Sequence, residues 1–108
     1  MSNVRPLQHR WLSVPAHVTA YPWVDRDDYS RARQVMIDGD LWPRDYDVWR
    51  REAERAMESL SMEGVRPIKA RLDLEAFTAW CRANDCPADS SARLAFAELV
   101  TLEAEEPY

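Results

Sequence analysis

Four side chains in this 108-residue sequence, Cys81, Cys86, His9 and His17, could hold a soft metal ion or move a proton near neutral pH. Together they make a nominal zinc set. A zinc knuckle places two cysteines about two to four residues apart and answers them with a second matched pair. Cys81 and Cys86 stand at the wide limit of that spacing, and Cys81 falls on the inner face of a helical pattern beside Trp80. One buried cysteine and one turn cysteine is the simpler reading, so no metal is expected. Whether the two thiols pair is left open.

Other chemistries fail on missing parts. Asp25-Arg26-Asp27-Asp28 resembles the start of a calcium loop, but Ser30 stands where the loop needs glycine and Met36 where it needs glutamate. Phosphate loops need clustered glycines so that backbone N–H groups can approach the oxygens. This chain has only Gly39 and Gly64, each placed to end a helix. A nucleophile needs a base and an orienting acid. His17 could serve as a surface base beside Trp11, but no serine lies in a nucleophile-elbow context. The expectation is a protein without catalysis or cofactor, an enzyme using His17 as base being the weaker alternative.

The elements that would position these groups follow from periodicity. Leu12, Val14, Ala16, Val18 and Ala20 alternate with Trp11, Ser13, Pro15, His17 and Thr19, which predicts a strand over 11–20 broken by Tyr21-Pro22-Trp23. Tyr29, Ala32, Val35 and Met36 predict a short helix with acids at its start and Gly39 at a left-handed end. Pro43 or Asp45 opens the longest helix, with Tyr46, Trp49, Ala53, Ala56, Met57 and Leu60 inward and Gly64 as its stop. A second strand is expected over Val65–Leu72. Asp73 caps a helix burying Leu74, Phe77, Trp80 and Cys81. After a turn at residues 84–87, Asp89 or Ser90 caps a last helix with Ala92, Ala95, Phe96, Leu99 and Leu102 inward. The fold class is α+β and helix-dominated, in the order β-α-α-β-α-α. A single domain spans 1–108, with an extended aromatic-rich segment at 1–24 and a fraying tail at 103–108.

Charge narrows the partners. The net charge is −5, and residues 85–108 set Asp85, Asp89, Glu98, Glu103, Glu105 and Glu106 against Arg93 alone. Tested as a helix-turn-helix, residues 73–104 would offer a DNA groove one arginine among glutamates, the wrong balance for recognition. Direct nucleic-acid binding is not expected. No apolar run reaches the ~20 residues of a membrane span, and residues 1–6 lack the apolar core of a secretory signal. A cytoplasmic protein is therefore expected. Thirteen arginines against the single Lys69, with fourteen alanines, go with GC-rich bacterial coding.

Aromatics are the remaining functional candidates. Trp11, Trp23 and Trp42 lie outside the two most regular helices, with His17 and Tyr21 close by in sequence. They either pack on the long helix near Trp49 or leave an anchor exposed for a partner. The acidic Glu98 and Glu103 offer a second partner face, and acidic helix surfaces can mimic DNA. Phe77-Thr78-Ala79-Trp80-Cys81-Arg82 followed by Ala92-Arg93-Leu94-Ala95-Phe96-Ala97 resembles a pattern in small bacterial proteins carried on plasmids and integrated elements. The resemblance covers chiefly residues 45–100 and brings no activity. It implies a modulator or inhibitor of a host protein. The expected function is a non-catalytic protein–protein interaction module, with a structural homodimer joined through strand edges as the alternative.

Overall fold

The computed structural model describes residues 18–105, with side chains through Glu103. The strand expected over 11–20 instead runs Val18–Trp23 (β1), and residues 11–17 lie outside the described residues. Tyr21-Pro22-Trp23 does not break it. Proline has no N–H to give, which a strand that pairs on one side only among the described residues tolerates. β1 pairs in parallel with Arg66–Arg71 (β2), in register from Val18 opposite Arg66 to Trp23 opposite Arg71.

Parallel strands need a long crossover. Here it holds a 3-10 turn at Arg26–Asp28, helix Tyr29–Val35 (α1), a second 3-10 turn at Gly39–Leu41 and helix Tyr46–Met62 (α2). After β2 come Leu74–Ala83 (α3) and Ser90–Glu105 (α4). The α+β, helix-dominated order is thus the one periodicity predicts. Side-chain caps start the later helices: Asp45 accepts from the Asp47 N–H, Asp73 from Ala76 and Asp89 from Ala92. Each satisfies an N–H that the helix itself leaves without a partner.

Gly39 departs from its expected role. Its backbone is not left-handed, unlike that of Gly64 at φ +87°. A Cβ at Gly39 would lie 1.8 Å from the Arg33 carbonyl oxygen, so the position is held by space. The chain turns back against α1 there, and only a residue without a side chain fits.

α4 departs too. Its buried residues are Ala92, Phe96 and Ala97, with Val100 packed against them, while Ala95, Leu99 and Leu102 face outward. The two readings differ by a rotation of the helix about its axis. α4 lies across the sheet as well as against α3, and the close approach to β1 selects Ala97, which packs with Ala20 and Ala70. The helix runs to Glu105, into the segment expected to fray.

The core centres on Phe77, Leu72 and Val24, each almost wholly buried. Val24 and Leu72 directly follow the two strands, and the Leu72 N–H extends the pairing by donating to the Trp23 carbonyl. Phe77 meets Phe96 edge to face at 5.5 Å, joining α3 to α4.

Candidate functional site

Trp23, Tyr29 and Trp42 fold onto Tyr46 and Trp49 of α2. Trp23 packs edge to face on Trp49 at 5.1 Å, Tyr29 on Tyr46 at 5.2 Å, and Trp42 stacks on Trp49 at 6.4 Å. The hydroxyls are used as well: Tyr29 donates to the Pro43 carbonyl at 2.6 Å and Tyr46 to the Val24 carbonyl at 2.9 Å. A buried phenol commonly finds such a partner. Trp23 is buried, and the Lys69 ammonium lies over its ring, 4.0 Å from the ring centre. Trp23 is therefore part of the packing.

Tyr21 and Trp42 open onto a cleft of about 270 Å³ between β1 and the start of α4. Its lining is Tyr21 and Pro22 of β1 with Val24 after it, Trp42 of the connector, Trp49 of α2, and Ser90, Arg93 and Leu94 of α4. Burial pushes the Tyr21 phenol above its ordinary range, so it enters the cleft as a neutral hydrogen-bonding group. Arg93 is already engaged. It donates to both carboxylate oxygens of Asp38 at 2.9 Å and lies 5.1 Å over the Trp42 ring. The hydrogen bonds from Arg93 hold the Asp38 carboxyl below the usual carboxylate range. No carboxylate, imidazole or amine is among the side chains lining this cleft. What it offers is aromatic and aliphatic surface with two hydroxyls and one fixed guanidinium.

A second depression of about 220 Å³ lies farther along the same seam, between Val18, Thr19 and Ala20 of β1 and Glu98, Thr101 and Leu102 of α4. Positions 94, 98, 101 and 102 share one face of a helix, so Leu94 and Leu102 border the two depressions in turn. Glu98 lines the second depression, and Glu103 is exposed and lines neither. A shallower hollow of about 420 Å³ between α1 and α3 is edged by the charged Arg31, Glu75 and Arg82.

Of the residues singled out from sequence, Tyr21 and Trp42 come together in the cleft and Glu98 lines the second depression, whereas Glu103 lines neither. Trp11 and His17 lie outside the described residues. Trp49, Ser90, Arg93, Leu94 and Leu102 complete the seam without having been singled out. From sequence Arg93 reads as a lone arginine on an acidic helix, and Leu102 as a core residue. The signal that could have found the leucines is the number of apolar residues on α4, more than one buried stripe can use.

Among the described residues no group of three His, Cys, Asp or Glu side chains could hold a metal ion, and no helix is long and apolar enough to cross a membrane. Compared with protein-family models, curated proteins and solved structures, the chain matches none.

Proposed function

We propose that this protein is a non-catalytic protein-binding module whose docking face is the seam between β1 and α4. The observation that carries the reading is the outward set of leucines on α4. Leu94 is 43% exposed, Leu99 38% and Leu102 59%, and Leu94 and Leu102 each border a depression between β1 and α4. Exposed apolar side chains set beside depressions and among polar groups are how protein-binding surfaces are commonly built. Tyr21 and Ser90 supply hydrogen bonds at one end, and Glu98, between Leu94 and Leu102, favours a basic residue on the partner. A modulator encoded by a mobile element is the finer form of this reading. It rests on the resemblance carried by Phe77–Arg82 and Ala92–Ala97.

The test is capture from bacterial lysate at low and moderate salt, with wild type beside a Leu94→Asp/Leu102→Asp double variant. The expected result is one stoichiometric partner that survives moderate salt and is lost with the double variant, whose circular dichroism is unchanged. A partner held equally by both proteins would refute this face. The second reading, a homodimer, draws on the sheet: among the described residues it has only two strands, so each keeps an unpaired edge. Sedimentation would then give a concentration-dependent mass near twice 12.6 kDa.

A further inference from the structure

Helix α3 ends in a double hydrogen-bond closure. The Cys86 N–H donates to the Cys81 carbonyl at 3.0 Å, and the Asp85 N–H donates to the Arg82 carbonyl at 3.2 Å. Asp85 takes the left-handed conformation this closure requires, at φ +53°. Such an ending turns the residue just past the helix back onto one in its last turn, and the two side chains commonly make an apolar contact. Helix α2 ends the same way, with Val65 donating to Leu60 at 2.9 Å around Gly64. Its facing pair is aliphatic. In α3 the facing pair is two thiols, one buried and one half-buried, both free.

We infer that Cys81 and Cys86 form a reversible disulfide that locks the corner between α3 and α4, with a low-molecular-weight disulfide of the glutathione type as oxidant. Standard bond lengths added to the 3.0 Å hydrogen bond keep the two Cα atoms within about 7 Å. A disulfide spans about 4.4–6.8 Å between Cα atoms, so the closure brings the pair to bridging range without unwinding the helix.

The exchange balances in two steps. The Cys86 thiolate attacks one sulfur of the external disulfide, forming a mixed disulfide and releasing one thiolate. Cys81 then gives up its proton, and its sulfur attacks that of Cys86, displacing the second external thiolate. Two protein thiols are oxidised, and one external disulfide is reduced to two thiols that take up the protons. Desolvation and a hydrogen bond with Cys86 push the Cys81 thiol up to about 11, which makes Cys86 the entry point and ring closure the slow step.

The bond would act on more than its own turn. The Ala88 carbonyl accepts from Ile37 at 3.0 Å, and Asp89 caps α4 through Ala92 at 2.9 Å. Fixing Cys86 therefore fixes the segment that sets where α4 begins. The inference stands independently of the docking face proposed above.

The experiment equilibrates the full chain in glutathione redox buffers, quenches it by alkylation and digests it with trypsin without reduction. The expected product is a linked pair of peptides, 72–82 with 83–93, from protein of monomer mass. Its equilibrium constant should exceed that of the same chain in urea by about tenfold or more, because the fold holds the thiols together. Cys81→Ala should stop at a mixed disulfide of Cys86 with glutathione, and Cys86→Ala should leave Cys81 unmodified. A bridge no more stable folded than in urea, intermolecular dimers, or a persistent mixed disulfide in wild type would each overturn the inference. Should Cys81→Ala fail to fold, the comparison of wild type with and without urea still decides.

Discussion

Each strand of the parallel pair ends, drops an aliphatic side chain into the core and turns through an aspartate toward a helix. Val24-Asp25 follows β1, and Leu72-Asp73 follows β2 at the matching register. Five residues beyond each aliphatic anchor stands a buried aromatic, Tyr29 in one unit and Phe77 in the other. There the likeness stops. Phe77 is sealed in hydrocarbon against Phe96, whereas the Tyr29 hydroxyl is spent on the Pro43 carbonyl. The difference follows from what crosses each unit. A whole helix crosses the second, with its backbone already satisfied. The irregular connector at 36–45 crosses the first, and its carbonyls must find donors. Two units with one backbone plan therefore carry different chemistry at the same position.

The sharpest way to break the comparison is to remove the hydrocarbon plug. Phe77→Ala leaves a cavity in the buried core where α3 meets α4 and should cost about 3–5 kcal/mol, enough to unfold much of the population. Urea denaturation followed by tryptophan fluorescence measures it. Tyr29→Phe keeps the ring and loses only the hydroxyl, so its cost should be about 1 kcal/mol. Equal costs would mean that the two aromatic positions do not differ as argued.

Next in size is the bond that ties the units together, Arg93 of α4 on Asp38 beside α1. The pair is mostly buried and bidentate, so Arg93→Met should cost about 1.5–3 kcal/mol. Its pH signature is specific. Because Arg93 lowers the Asp38 pKa, the unfolded chain takes up that proton at a higher pH than the folded one. The stabilisation is complete above the ordinary carboxylate range. It is lost as pH falls through that range to the depressed value. Acid titrations of stability should show this loss in wild type and a flatter limb in Arg93→Met.

Local signals carried most of this architecture into the sequence. Helix α2 was legible from end to end, because Asp45, its apolar stripe and Gly64 all agree. The failures share one cause, which is a tertiary constraint that periodicity does not encode. Gly39 is dictated by the Arg33 carbonyl across a turn, and the facing of α4 by the close approach of Ala97 to Ala20. The strand passes through Pro22 because among the described residues β1 pairs on one side only, a fact of topology. For the candidate site, Tyr21 and Trp42 were legible as aromatics outside the regular helices. Leu94 and Leu102 were not, because an exposed leucine and a buried one look alike until the helix is rotated onto its neighbours.

The smallest effects separate the two aspartates that open the units. Asp73 caps α3, accepting from the Ala76 N–H at 3.1 Å. Asp25 makes no cap bond; it accepts from Arg71 Nε at 2.8 Å, an ion pair open to solvent. A cap satisfies a donor that the helix leaves without a partner, and water cannot replace it without fraying the first turn. An exposed ion pair exchanges one set of hydrated charges for another and is screened by salt. Asp73→Ala should therefore lower stability by about 1 kcal/mol, and raising the salt should not restore it. Asp25→Ala should shift the melting temperature slightly at low salt and not at all at high salt. If the two substitutions respond to salt alike, Asp73 acts through its charge rather than as a cap. The two turns would then differ in sequence but not in mechanism.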